Sequence, residues 1–237
     1  MKIITWNCNM AFRKKFRKIK IFKPDLLVLQ ECEHIDKLEE ALDELEYYQI
    51  IWHGINLNKG LAVISFNNIE IEIQEDFNTD FDFVLPLKCT KNKNSVNLFA
   101  VWAMPNKKHP SKSYVGQIWD AINYYKSSLS QPSIWIGDFN SNAIWDKKRK
   151  LGNHSDVVSM FNDHHIFSIY HQQFQEAHGK ESLPTLYLLK KKTKPYHMDY
   201  CFASNELVHL TTKMEVGTYN QWIKWSDHMP LIIEGLN

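Results

Sequence analysis

The feature that most restricts what this chain can fold into is its run of short strand-forming segments. Residues 2–7, 26–30, 48–52, 61–65, 69–73, 96–103, 133–137, 198–203 and 229–233 are rich in β-branched and aromatic side chains, and most are bounded by Asn, Gly or Pro. The Asn67-Asn68 pair between two of them reads as a hairpin turn. Helical periodicity is scarcer. Phe12, Phe16, Ile19 and Phe22 recur among lysines and arginines, predicting one amphipathic helix that stops before Pro24. Asp36 with Glu39 has capping-box spacing ahead of Leu38, Leu42 and Leu45. Tyr114, Ile118, Ile122, Tyr125 and Leu129 mark a third helix. Ser155 is placed to cap a fourth, whose inner face is Val158, Met160 or Phe161.

Strand runs outnumber helices, and helices fall between groups of strands. An α/β domain with two layers of sheet buries everything. At 237 residues with 44% hydrophobic side chains, one domain spanning 1–237 is the expectation. Repeats, linkers and low-complexity tracts are absent from the sequence. Cys8, Cys32, Cys89 and Cys201 lack CxxC spacing, which argues against a cysteine zinc site or a disulfide framework and for reduced thiols in a cytoplasmic protein. Strand-like sequence begins at residue 2, leaving no room for a cleaved signal. No apolar run approaches the roughly 20 residues that span a bilayer. No membrane association and no obligate protein partner are expected.

Polar residues gather where apolar strands hand over to loops. The segments are Thr5-Trp6-Asn7-Cys8-Asn9, Leu29-Gln30-Glu31, Gly137-Asp138-Phe139-Asn140-Ser141-Asn142, His197-Met198-Asp199-Tyr200 and Ser226-Asp227-His228-Met229-Pro230. Each alone is weak, since a carboxylate ending a strand is usually just solvated. Together they supply what phosphodiester hydrolysis requires: carboxylates for a metal, a base for water, and donors for charge developing on phosphorus. Glu31, helped by Asp227 or Asn7, suits magnesium, and a His228–Asp199 pair can fix a tautomer or hold a proton.

The ordered set Asn, Gln-Glu, Gly-Asp-x-Asn, x-x-Asp-Tyr, Ser-Asp-His resembles the endonuclease/exonuclease/phosphatase superfamily, which includes exonuclease-III-like and deoxyribonuclease-I-like enzymes, and it runs from residue 5 to residue 230. The resemblance implies a four-layer αββα sandwich with two packed mixed sheets and the site at one end. It implies that Asn7 orients a metal-binding carboxylate or the phosphate, and that Glu31 binds magnesium, with manganese able to substitute. Asp138 would align or deprotonate the attacking water, and Asn140 would hold the water or the phosphate. Asp199 would orient His228, which donates to a phosphoryl oxygen, and Asp227 would support the metal or the water. Two departures stand out. Asn9 replaces an Asp that abasic-site enzymes often carry, and Ala103 leaves a donor missing near Pro105-Asn106. Trp102 is then either a stacking platform or a core residue.

His197 and Asn142 are weaker candidates for substrate contact. The alternatives for them are a structural hydrogen bond and a turn cap. His154, His164 and His165 read as surface or core histidines. The 28 basic and 27 acidic residues nearly cancel, so position matters more than total. Basic clusters at 13–20, 107–108, 147–150 and 190–194 include three that flank motif segments, and Lys190, Lys191 and Lys192 are candidate phosphate contacts. The expected activity is metal-dependent phosphodiester hydrolysis, by a nuclease acting on DNA or RNA. A phosphatase or phosphodiesterase for a small metabolite or lipid headgroup is the alternative. A catalytically dead binding module would not require the intact Glu31, Asp138, Asn140, Asp199 and His228.

Overall fold

The computed structural model describes residues 1–106, 113–147 and 151–236. Two six-stranded sheets face each other. The first has the order β13 (Lys213–Val216), β14 (Leu231–Glu234), β1 (Lys2–Asn7), β2 (Leu26–Cys32), β4 (Lys59–Ser65), β3 (Gln49–Asn56). The second has the order β5 (Glu70–Ile73), β6 (Val84–Lys91), β7 (Asn94–Trp102), β8 (Ser133–Asp138), β12 (Asp199–Ser204), β9 (Ile166–Ser168). A small antiparallel ribbon, β10 (Leu186–Tyr187) with β11 (Pro195–Tyr196), stands apart. Parallel pairs occur at β1–β2 and β7–β8, and both sheets are otherwise antiparallel.

Side-chain alternation explains the layers. Inward-facing Ile3, Val28, Val63, Ile134, Ile136, Cys201 and Ile233 meet between the sheets. Their neighbours Ile4, Trp6, Leu27 and Leu29 face outward. They pack against α1 (Phe16–Lys20), α2 (Glu39–Leu45) and Trp222 of α7 (Tyr219–Trp222). On the far side Phe99, Trp135 and Phe202 pack against α3 (Val115–Tyr124) and α4 (His154–Asp163). The result is the helix–sheet–sheet–helix stack expected. Each fully buried Leu, Ile or Val contributes about 1.5–3 kcal/mol relative to exposure, so the central apolar layer fixes the sheet pairing.

Several local expectations are corrected. Asn67 and Asn68 do adopt left-handed dihedrals, but β4 and β5 belong to different sheets, so this turn carries the chain across the sandwich rather than closing a hairpin. The helix expected around Phe12–Phe22 is broken into a 3-10 turn (Phe12–Lys14) and the five-residue α1. Lys15 sits between them and donates to the Cys8 and Asn9 carbonyls. Asp36 is not an N-cap, since α2 starts at Glu39 without a side-chain cap. Asn153, not Ser155, caps α4 through a reciprocal box with Asp156, and the fully buried inner residues are Val157 and Phe161. Trp102 is buried between the sheets against Phe83, not presented for stacking. All four cysteines are buried and free. Among the described residues no helix is long and apolar enough to cross a membrane. Lys107, Lys108 and residues 148–150 lie outside the described residues.

Candidate functional site

Inward positions on four strands change from apolar to polar towards one end of the sandwich. They read Ile3, Thr5, Asn7 on β1; Leu26, Val28, Gln30 on β2; Ile134, Ile136, Asp138 on β8; and, running the other way, Asp199, Cys201, Ala203 on β12. Register aligns them: Asn7 is opposite Gln30, and Asp138 is opposite Asp199. The Gln30 amide donates to Thr5 Oγ1 at 3.0 Å, closing the layer beneath.

One contact here crosses from sheet to sheet and another reaches the second sheet from the loop before β14. Asn7 Nδ2 donates to Asp138 Oδ2 at 3.0 Å, and His228 Nδ1 lies 2.9 Å from Asp199 Oδ2. Asp138 is fully buried and accepts twice more, from Asn140 Nδ2 (3.0 Å) and from the Asn140 backbone N–H (2.9 Å). Asn140 can do both because its backbone is left-handed, and its Nδ2 also reaches the Ala103 carbonyl. Gly137 makes this approach feasible. Its φ of 143° lies in glycine territory, and a Cβ there would collide with the Val101 carbonyl oxygen. His228 Nε2 stops 3.9 Å from Asp138 Oδ2, too far for a hydrogen bond, so both groups remain able to serve a third atom.

The electrostatics are divided. Burial pushes Asp138 up to about 7, and Asp199 adds to the rise against the opposing pull of His228 and the Asn7 hydrogen bond. Burial works to lower His228, but Asp199 and Asp138 more than offset it and hold the imidazole up at about 10. A protonated imidazole therefore stands beside a carboxyl poised near neutrality. Asp138, Asp199 and His228 also bring ligand atoms within 4.8 Å of one another. Asp199 Oδ1 is buried with no hydrogen-bond partner.

Three residues to which the sequence gave no part hold this centre. Ser226 Oγ donates to the Asn7 carbonyl and accepts from the His228 N–H, tying two motifs together. Trp6 Nε1 donates to the His228 carbonyl. Thr185 Oγ1 accepts from the Met198 and Asp199 N–H groups. Ser226 and Trp6 lie inside motif segments; nothing in the pattern points to Thr185, which lies in none of them.

The remaining candidates divide. Glu31 sits in a β-bulge of β2 with left-handed φ of 55°, half-buried, and its carbonyl accepts from the Met10 N–H. Asp227 is half-buried and accepts from Asn9 Nδ2 at 2.8 Å, so the Asn that replaces the usual Asp holds this carboxylate. Asn142 is turned inward. Its amide donates to Glu181, to the His197 carbonyl and to Tyr200 Oη, while its oxygen caps the 3-10 turn at Ala143–Trp145. His197 is buried on the outer side of β12 against Tyr170 and Tyr200 and is 2.8 Å from the Leu183 carbonyl. Burial lowers its pKa. Neither residue is brought to the Asp138–His228 centre.

Lys190, Lys191 and Lys192 are exposed. They are carried by the β10–β11 ribbon, whose Leu186 bridges to His228 and whose Tyr187 N–H donates to the Asp227 carbonyl. Lys190 is close enough to lower the Lys15 pKa, after burial and against the opposing pull of Cys8. A cleft of about 400 Å³ opens beside Asn140, lined by Tyr114, Trp145 and Lys147.

Residues 4–228 match the model of the Endonuclease/Exonuclease/phosphatase family, and the chain belongs to that family. Similar solved structures include an AP endonuclease from Archaeoglobus fulgidus, at 19% identity and TM-score 0.73, with 99% of each chain covered. A 3'-5' exonuclease from Neisseria meningitidis matches at 17% identity and TM-score 0.70, again over 99% of each chain. A Neisseria 3' phosphatase bound to a product DNA hairpin matches at 17% identity and TM-score 0.72 over 99% of each. At such identities these structures establish the shared fold. Among curated proteins, none matches the chain.

Proposed function

We propose that the protein is a divalent-metal-dependent phosphodiesterase, and that its substrate is a nucleic acid. The observation that carries the reading is the pairing of a buried carboxyl near neutrality with a cationic imidazole 3.9 Å away, with no direct hydrogen bond between them. In the reading, Asp138 accepts the proton of the attacking water as its oxygen bonds to phosphorus and the ester oxygen departs. Asn7 and Asn140 hold the Asp138 carboxylate by three hydrogen bonds, so its direction is set before substrate arrives. His228, kept protonated by Asp199, donates to a non-bridging phosphoryl oxygen as charge develops there.

Glu31 and Asp227 offer the hard oxygen donors that magnesium takes, and Asp199 Oδ1 is a buried carboxylate oxygen beside His228 without a hydrogen-bond partner. When bound, magnesium or manganese would neutralise phosphate charge. The nucleic-acid assignment draws on the Lys190–Lys192 segment beside Asp227 and His228, and on the AP endonuclease and exonuclease named among the similar structures.

Purified protein given plasmid, single-stranded DNA, RNA and bis(p-nitrophenyl) phosphate, with Asp138→Asn as control, tests this reading. Metal-dependent cleavage of a nucleic acid, absent in the control, is expected. Turnover of small phosphoesters alone would move the assignment to a metabolite or headgroup enzyme.

A further inference from the structure

Behind β12, away from Asp138, lies a second group of metal-ligating side chains. His171 is on α5 (Ile169–Phe174), and His178 and Glu181 are on the connection to β10. One ligand atom from each lies within 4.8 Å of the others. His171 Nε2 is 3.2 Å from Glu181 Oε1, and His154, the first residue of α4, puts Nε2 at 3.1 Å from His178 Nδ1. The His171–Glu181 spacing suits a shared cation: tetrahedral zinc, with bonds of roughly 2.0–2.1 Å, holds neighbouring donors roughly 3.3 Å apart.

The outward nitrogens strengthen the case. His171 Nδ1 is 2.7 Å from Ser168 Oγ, and His154 Nδ1 is 3.2 Å from Ser141 Oγ. If the His171 Nδ1–H donates to Ser168, its Nε2 lone pair points into the cluster, as it does where a hydrogen-bond partner on the far nitrogen orients a ligating histidine. The His171 lone pair would then face a carboxylate oxygen, an arrangement that a cation between them would stabilise. Glu181 is itself oriented by Asn142 Nδ2 and the Gly179 N–H. A fourth imidazole, His197, sits alongside with Nε2 buried and partnerless, its ring 6.3 Å from that of His171.

We propose that His171, His178 and Glu181 bind a borderline divalent transition metal of the zinc class, separate from the metal of the phosphodiesterase centre. Imidazole-rich sites favour zinc, copper or nickel over magnesium, so two metals could sort by ligand type in one chain. Such an ion would pin the connection carrying His178 and Glu181 onto the back of β12. That connection continues to Thr185, whose hydroxyl positions the Asp199 N–H, and Asn142 links Glu181 to the loop after Asp138.

The test is metal binding, read independently of catalysis. Full-length protein is stripped with chelator, returned to excess magnesium, and titrated with zinc by equilibrium dialysis and elemental analysis, with cobalt as a spectroscopic probe. Wild type should take up zinc stoichiometrically, gain thermal stability, and give the intense visible absorption of tetrahedral cobalt. His178→Asn and Glu181→Gln should lose these, and Asp138→Asn should keep them. Ser168→Ala, a mild change should the ligand variants fail to fold, should weaken zinc binding roughly 10–100-fold. Wild type binding no zinc in excess magnesium would overturn the proposal. So would zinc lost by Asp138→Asn but kept by His178→Asn.

Discussion

Asp138 and His228 divide the work of the proposed centre by their opposite shifts, and that division fixes a pH profile. The base must be deprotonated, so activity should rise as pH passes through about 7. The donor must be protonated, so activity should fall as pH passes through about 10. A bell in kcat/KM with those limbs is the expected outcome, and in Asp199→Asn the alkaline limb should move down, because the carboxylate that holds the proton is gone. Asp138→Asn and His228→Ala should each lower kcat by roughly 10²–10⁴-fold. The double variant should lose far less than the product, since groups serving one transition state are not additive. Rates near wild type in either single variant would remove that residue from its assigned role. Glu31→Gln should leave the fold intact and raise the magnesium concentration needed for half-maximal rate.

At the scale of elements, the strands delivered the site in a form the sequence could show. Alternation along β1, β2, β8 and β12 makes the inner face run apolar, then polar, and each polar end is a motif segment. Those residues were legible because strand period and motif coincide. His197 and Asn142 were not, because both sit where the strand gives way to a loop. His197 is on the outer side of β12, and the Asn142 amide is drawn inward by Glu181, a residue that lies in none of the motif segments. The Asn67-Asn68 turn failed for a related reason: dihedral preference is local, while strand pairing is decided by which core the side chains enter. The break in the first helix falls at Lys15, whose backbone is not helical and whose ammonium donates to two carbonyls beside the site. Strain and satisfaction give element-scale tests. Gly137→Ala should cost on the order of 2 kcal/mol or more, from positive φ alone and before the collision with Val101. Thr185→Val strands two buried N–H groups and should cost about 1–3 kcal/mol for each one left unpaired. Urea unfolding midpoints measure both, and a neutral Gly137→Ala would contradict the close approach described.

For the whole molecule, net charge of +1 gives no general attraction to a polyanion, so any preference must come from where lysines are placed. The Lys190–Lys192 segment is tied to the Asp227-His228 segment through β10, and in the proposed reading it would contact phosphates flanking the scissile one. Replacing Lys190, Lys191 and Lys192 with Glu should weaken DNA cleavage severely and leave bis(p-nitrophenyl) phosphate hydrolysis nearly unchanged. The salt slope of DNA binding should fall by roughly 0.9 for each phosphate that is no longer neutralised. Equal loss on both substrates would indicate damaged chemistry or folding, and no loss on DNA would favour the small-phosphoester alternative.

Whether Asp138 and His228 form a metal-dependent phosphodiesterase centre is tested most directly by a single chelation experiment. Hydrolysis of bis(p-nitrophenyl) phosphate and of plasmid DNA is followed in excess EDTA, then after magnesium is restored alone, with Asp138→Asn in parallel. The expected result is no turnover in EDTA, recovery with magnesium, and little recovery in the variant. Full turnover in excess chelator, or a variant that recovers as wild type does, would contradict the assignment of this centre.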